Sequence, residues 1–262
     1  MNILFGSVLE YIDIFLLVLV RVTALFVISP IFGRKNMPNI FKIGFGLMLA
    51  MIITPTLEAN GILAEQHILQ FVMLVFNEFC IGLILGFVSY MAFSALYVAG
   101  QIIDMQIGFG MVNVLDPQTN IQIPVIANFY FIISMMMFLA LDGHHMIISS
   151  IFYSYKVLPI GEGAVTTALL DNMVKMFGDM FIIGFKIASP IIAAVFITDV
   201  ALGILARTVP QMNVFVVGMP LKIVIGIGVL IITVAVFPII MEVILNGMYK
   251  DLEAVLKDMV KQ

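Results

Sequence analysis

The sequence predicts an all-α integral membrane protein, and three observations lead to this fold class. Hydrophobic residues make up 63% of the 262 residues and charged residues only 11%, whereas about 25% of the residues in soluble domains are charged. The 12 basic and 16 acidic side chains cannot cover a chain of this size in water. Several apolar runs approach or exceed the roughly 20 residues that a membrane-spanning helix needs. Lipid or other apolar subunits must therefore surround most of the chain.

The composition also argues against several partners and activities. The formal net charge is −4 and the basic residues are scattered, so nucleic acid is not an expected partner. Cys80 is the only cysteine, which excludes an intramolecular disulfide and a multi-cysteine metal site. No GxxxxGK[ST], GxSxG or HExxH motif is present. We therefore expect a protein without enzymatic activity, cofactor or metal.

The first half of the chain predicts three helical runs. Residues 14–28 form a short or tilted span that ends at Ser29-Pro30, and residues 43–57 form a second run. Residues 68–99 would make a helix of about 48 Å, longer than a hydrocarbon core of roughly 30 Å. This run must either tilt and protrude or be broken. Gly82 and Gly86 lie four residues apart on it, a spacing that lets a neighbouring helix approach closely.

In the second half, the apolar runs alternate with turn-forming residues. Hydrophobicity falls between residues 100 and 124, which predicts a long loop of the kind that often carries function. A span follows at residues 125–141. Residues 165–207 would reach about 64 Å as one helix, and Pro190 should kink or divide it. The last run, residues 223–243, precedes an amphipathic tail. We expect six to eight bent or broken helices arranged in hairpins.

Among the charges that lie inside apolar runs, Arg21, Glu78, Lys186 and Asp199 are expected to be buried. The favoured interpretation is pairing that fixes the register of the helices. The alternative is an ion or proton relay in a stand-alone ion-coupled secondary transporter, with Glu78, Asp199 and Lys186 near the bilayer midplane. An intramembrane enzyme is a third class, but no catalytic set can be assembled from the sequence.

His144 and His145 are the one pair of residues that suggests a metal site. Adjacent residues on a helix point about 100° apart, so we expect that the two rings cannot share an ion without a special turn. Beside Asp142 and Gly143, the pair is expected to cap or turn the chain at a membrane boundary.

Three stretches together resemble one family. The first reads GQIIDMQIGF at residues 100–109 and continues to DPQ at 116–118; the second reads LALDGHH at 139–145, followed by LPIG at 158–161. The third reads LGILARTVPQMNVF at 202–215 and continues to GMPLK at 218–222. Their order and spacing resemble the family of the flagellar biosynthetic protein FliR and its counterparts in virulence type III secretion. The motif residues are Asp116, Pro117, Gln118, Asp142, Gly143, His144, Arg207, Pro210, Gln211, Asn213 and Lys222.

The resemblance implies a core subunit of the flagellar type III protein export gate in the bacterial inner membrane, at the flagellar basal body. It implies assembly with FliP and FliQ into a helical hetero-oligomer and contact with FlhB and FlhA. Unfolded flagellar subunits would be exported through the gate. It further implies one membrane domain with a FliP-like part, residues 1–160, and a FliQ-like hairpin with a C-terminal tail, residues 161–262.

The family's loop that plugs the closed channel matches a segment of eight residues. These are Gly108, Phe109, Gly110, Met111, Val112, Asn113, Val114 and Leu115, referred to below as the plug segment. Its glycines allow the chain to bend, and its apolar side chains suit a constriction that excludes water and ions.

Overall fold

A computed structural model of the protein describes residues 2–34, 37–57, 68–111, 124–211 and 213–260. These residues form eight α-helices and, apart from an isolated bridge between Gly163 and Val260, no β-structure. The all-α fold class is confirmed. The helices are α1 (Asn2–Ile28), α2 (Asn39–Ile53), α3 (Ile68–Ile107), α4 (Val125–Ala140), α5 (Gly143–Val157), α6 (Thr167–Thr208), α7 (Val214–Val234) and α8 (Phe237–Asp258).

Within the described residues, five helices are long and apolar enough to cross a membrane. They lie in Tyr11–Ile28, Asn39–Thr56, Ile68–Ile107, Thr167–Thr208 and Val214–Val234. The pair α4 and α5, broken at Asp142, gives a sixth candidate. The prediction of a membrane-embedded helical protein is therefore confirmed.

The two longest apolar runs are both continuous helices. Helix α3 contains 40 residues and α6 contains 42, lengths of about 60 Å at 1.5 Å per residue. The proline at position 190 does not divide α6, because a neighbouring side chain compensates for the missing N–H. Ser189 Oγ donates to the Lys186 carbonyl at 2.7 Å, the acceptor four residues before Pro190 that loses its backbone donor.

The predicted run at residues 223–243 is wrong in its bounds. Helix α7 begins earlier, at Val214, and ends at Val234, and α8 begins at Phe237. Pro238 is the second residue of α8, where its missing N–H would have no partner within the helix. Helix α8 carries a buried stripe at a spacing of three and four residues. This stripe consists of Phe237, Met241, Ile244, Leu245, Met248, Leu252, Val255 and Leu256.

Contacts within the chain group it into two units. The first unit comprises Met1–Met91, Asp142–Met176 and Asn246–Gln262, and the second comprises Ala92–Leu141 and Phe177–Leu245. The predicted division into residues 1–160 and 161–262 concerns relatedness to FliP and FliQ and stays a prediction.

In the first unit, the end of α8 is attached to the start of α6. Asn172 Nδ2 donates to Asp258 Oδ2 at 2.7 Å, and Thr166 Oγ1 donates to the Asp258 carbonyl at 2.6 Å. The Ala164 N–H donates to the Met259 carbonyl at 3.0 Å. The tail predicted to be amphipathic is thus an integral part of this unit.

Candidate functional site

A buried ion pair joins α1 to α3 in the first unit. Arg21 and Glu78 are 1% and 0% exposed. Arg21 Nε donates to Glu78 Oε2 at 2.5 Å, and Arg21 Nη2 donates to Oε1 at 3.0 Å. This bidentate geometry is the strong form of a guanidinium–carboxylate interaction. It fixes the register of α1 against α3 where Arg21 and Glu78 meet.

Residues of α5 and the turn after it surround the rest of the guanidinium. Arg21 Nη1 donates to Ser154 Oγ at 3.0 Å and to the Leu158 carbonyl at 3.3 Å, and Nη2 donates to the same carbonyl at 3.2 Å. The Arg21 Cζ lies 3.9 Å from the centroid of the Tyr155 ring, within cation–π range. Each of the five guanidinium N–H groups therefore has an acceptor.

Both oxygens of Glu78 are also occupied by donors. In addition to the two bonds from Arg21, Oε1 accepts from the Gly161 N–H at 3.3 Å. An ion-coupling carboxylate has to exchange its partners for a proton or cation, whereas Glu78 is 0% exposed and accepts three hydrogen bonds from protein donors. The geometry favours pairing that fixes helix register over a relay through Glu78.

The close contact between α1 and α3 depends on two glycines. A Cβ at Gly82 would lie 2.3 Å from the Arg21 carbonyl oxygen and 2.7 Å from Ala24 Cβ. A Cβ at Gly86 would lie 2.8 Å from the Leu25 carbonyl oxygen. The predicted close approach of a neighbouring helix at these glycines is confirmed, and the neighbour is α1.

The hydroxyl of Tyr155 is buried and has no hydrogen-bond partner among the described residues. An unpaired buried polar group costs about 1–3 kcal/mol, whereas the ring face stabilises Arg21. We therefore expect Tyr155→Phe to unfold at the same temperature as the wild type or higher. Tyr155→Leu, which removes the cation–π contact, should lower stability by about 1–2 kcal/mol. Thermal unfolding in mild detergent measures both, and a clearly less stable Tyr155→Phe protein would contradict this interpretation.

The plug segment begins where α3 ends, in the second unit. Gly108 has φ +98° and its N–H donates to the Asp104 carbonyl at 3.2 Å, an αL helix end that glycine adopts without strain. Phe109–Met111 form a single 3₁₀ turn, in which Phe109 is half-buried and Gly110 exposed. The remaining predicted residues, Val112, Asn113, Val114, Leu115, Asp116, Pro117 and Gln118, lie outside the described residues.

A carboxylate in the last turn of α3 contacts the helix that follows the plug segment. Asp104 is 5% exposed. Its Oδ1 accepts from the Ile126 N–H at 2.9 Å, and its Oδ2 accepts from the Ala127 N–H at 3.1 Å. One turn earlier, a Cβ at Gly100 would lie 2.2 Å from Ala127 Cα, so the two backbones pack directly. Residues on either side of the plug segment are thus held together.

Sequence reasoning did not single out Asp104 as a site residue. The available signal was an acidic residue near the end of a mainly apolar helix, where an ionised group needs a partner. A second signal was Pro124, which precedes a helix and has no side chain that accepts a hydrogen bond.

The two other charges that were expected to be buried, Lys186 and Asp199, are not buried. Asp199 pairs with Lys222 of α7, with side chains 43% and 28% exposed, and Lys186 is exposed. The expected burial is thus corrected for Lys186 and Asp199. Only 28% of the spanning part of α6 is buried within the chain, which leaves most of its surface uncovered. The ion pair borders an open cavity of about 510 Å³ that Met105 and Gly108 also line.

The third family motif forms the turn between α6 and α7. Arg207 lies in the last turn of α6, and Pro210 and Gln211 form the turn. Asn213 is the N-cap of α7, and its Oδ1 accepts from the second and third N–H groups of that helix at 3.1 and 3.3 Å. These four motif residues are exposed, so they shape a helical hairpin without occupying its core.

The second motif places Asp142, His144 and His145 together. Asp142 has φ 55° and precedes α5. The two imidazole centroids are 4.3 Å apart, and the potential ligand atoms of the three residues lie within 4.8 Å of one another. The expectation that the rings point apart is wrong. Side chains in a first helical turn have no preceding turn to clash with and so adopt more rotamers. The absence of a metal stays a prediction.

Comparison with known proteins identifies relatives along nearly the whole chain. Residues 12–248 match the model of the family described as bacterial export proteins, family 1. Flagellar biosynthetic protein FliR of Bacillus subtilis is 37% identical over 241 residues, which cover 90% of this chain and 92% of that protein. The FliR of Escherichia coli is 30% identical, with 84% of each chain covered.

A more distant relative extends the same relationship. FliR of Aquifex aeolicus is 26% identical over 93% of this chain and 94% of its own length. The family match spans α3, α4 and the α6–α7 hairpin, which include the residues described above. The chain therefore belongs to family 1 of the bacterial export proteins, the family of the flagellar biosynthetic protein FliR.

Proposed function

We propose that this protein is a core subunit of the flagellar type III protein export gate in the bacterial inner membrane. It helps to form the channel for unfolded flagellar proteins and closes it with the plug segment. The observation that carries the proposal is an apolar segment that begins with Gly108 and follows α3, whose end is hydrogen-bonded to the start of α4, in a chain related to FliR over most of its length. The protein itself performs no catalysis; the driving force comes from outside it.

The uncovered helix surfaces support an assembly with other subunits. Only 17% of the spanning part of α7 and 28% of that of α6 are buried within the chain. Exposed large apolar side chains on α6 include Phe177, Phe181, Phe185 and Phe196. We propose that FliP and FliQ cover much of this surface in a helical assembly, that FlhB and FlhA contact it, and that lipid covers the remainder.

Deletion of residues 110–114 tests the plug function. We expect the assembled gate to leak ions, because the apolar side chains that exclude water are removed. A potential-sensitive dye in intact cells should report a reduced membrane potential, compared with cells that express the wild-type chain. Cells that lack the subunit control for leaks from other sources. An intact potential in a strain whose mutant gate is fully assembled would contradict the plug function.

Purification in mild detergent tests the proposed partners separately. A gate subunit should elute as a large complex with FliP and FliQ, whereas a stand-alone transporter should elute as a single well-behaved protein. The enclosed Arg21–Glu78 pair already argues against the transporter class, since Glu78 was one of its three expected ion-coupling residues.

A further inference from the structure

The turn that begins α5 carries three side chains that can bind a metal. Asp142, His144 and His145 each offer one ligand atom, and these atoms all lie within 4.8 Å of one another. Two ligands at about 2.0–2.2 Å from one ion lie no more than roughly 4.4 Å apart. Asp142 and His145 are exposed, so small rotations of their side chains can bring the three ligand atoms around one ion.

The backbone holds the three residues in one turn. Asp142 has φ 55° and ψ 25°, a left-handed conformation. Its carbonyl accepts from the His145 N–H at 2.9 Å and from the Met146 N–H at 3.3 Å. The ring centroids of His144 and His145 are 4.3 Å apart. The divergence of adjacent side chains on a regular helix therefore does not exclude a shared ion here.

The carboxylate of Asp142 is not used as a helix cap. An aspartate at an N-cap normally accepts from the second or third N–H group of its helix, and its backbone is then extended. Asp142 is the N-cap of α5, but its backbone is left-handed and its side chain makes no capping hydrogen bond. The carboxylate is therefore available as a ligand beside the two rings.

A nitrogen of His144 supplies an observation that is independent of these distances. Its Nδ1 is buried and has no hydrogen-bond partner among the described residues. A buried polar atom without a partner is costly, and most such atoms in folded proteins have one. Coordination of an ion by this nitrogen would supply the missing partner.

We propose that Asp142, His144 and His145 form a binding site for one divalent transition-metal ion. Two imidazoles and one carboxylate are a ligand set that suits Zn²⁺ and leaves a fourth position open for water. The ion would join Asp142 to the two histidines and so fix the residue at which α5 begins. The expectation of no metal rested in part on diverging rings, which the structure does not show. The site does not depend on the proposed gate function.

Titration of the full-length chain with Zn²⁺ tests the site. The chain is purified in mild detergent with an affinity tag that contains no histidine, stripped of metal with a chelator and titrated by calorimetry. We expect one Zn²⁺ per chain. His144→Ala and His145→Ala should each weaken binding at least as much as the roughly 10–100-fold that outer-shell substitutions cause. His67→Ala removes the only other histidine and should bind Zn²⁺ as the wild type does.

Three results of this titration would overturn the proposal. The first is a wild-type chain that binds no Zn²⁺. The second is an unchanged affinity in the double variant His144→Ala/His145→Ala. The third is an equal loss of affinity in His67→Ala, which would show that binding does not report this turn.

Asp142→Asn separates metal binding from folding. Asparagine adopts the left-handed backbone as aspartate does, and its neutral amide is a poorer ligand for the ion. Circular dichroism should therefore show the helix content of the wild type. Co²⁺ in place of Zn²⁺ reports the coordination geometry through its visible absorption, and we expect this absorption to be lost or shifted in Asp142→Asn. A spectrum and affinity identical to those of the wild type would exclude the carboxylate and overturn the three-residue site.

Discussion

Arg21→Met is expected to lower the free energy of unfolding by about 3–5 kcal/mol, the usual cost of removing one member of a buried ion pair. The substitution leaves the Glu78 carboxylate buried with a single donor, the Gly161 N–H at 3.3 Å. It also removes the bonds from α1 to Ser154 and Leu158. The chain has no tryptophan, so loss of helical circular dichroism on heating in mild detergent is the suitable measurement.

The matched double variant Arg21→Met/Glu78→Met should be clearly more stable than either single variant. Apolar replacement of both members leaves no uncompensated charge and is often close to neutral. Lys186→Met, at an exposed position of α6, should change stability by less than about 0.5 kcal/mol. If the double variant were no more stable than Arg21→Met, the unpaired Glu78 carboxylate would not be the cause of the stability that Arg21→Met loses.

Gly82→Ala is expected to be the second most disruptive change, at about 1–3 kcal/mol, as for other overpacked cores. The new methyl group would lie 2.3 Å from the Arg21 carbonyl oxygen, and this backbone atom can move only if α1 moves with it. The shift would also lengthen the hydrogen bonds between Arg21 and Glu78. Thermal unfolding in mild detergent is again the measurement.

Gly44→Ala is a matched control in the same unit. A Cβ at Gly44 would meet no heavy atom within 4 Å. Alanine is a better helix former than glycine by up to about 1 kcal/mol, so this variant should be as stable as the wild type or more stable. Equal losses of stability in Gly82→Ala and Gly44→Ala would show that the close packing of α1 on α3 is not the cause of the loss in Gly82→Ala.

The sequence predicts the helices well because the apolar runs report them directly. The run at 14–28 matches the C-terminal part of α1 and ends at the same residue, although α1 begins twelve residues earlier, and the run at 125–141 matches α4 within one residue. The close helix contact at Gly82 and Gly86 is also predictable from the sequence, because small residues four apart form a continuous groove on a helix. The bounds near Pro238 are wrong because proline is allowed in the first turn of a new helix, and hydrophobicity does not change there.

The site is less predictable because its geometry depends on residues distant in sequence. No local pattern indicates that Glu78 meets Arg21, or that Leu158 supplies a carbonyl to the same guanidinium. Asp104 caps a helix that begins 21 residues later, whereas capping rules look only at the adjacent residue. The expected burial of Lys186 and Asp199 is wrong for another reason. An apolar helix in a membrane subunit does not have to be covered by its own chain.

The attachment of α8 to the start of α6 sets an order for biogenesis. The first unit contains residues near the start of the chain, yet Leu252, Val255 and Leu256 are among its buried residues. The ribosome synthesises these residues of α8 only after it has made the helices that they cover. During synthesis, the matching apolar surface therefore stays exposed to the insertion machinery or lipid. Premature termination before residue 246 should leave a chain that inserts but is a target for quality-control proteolysis.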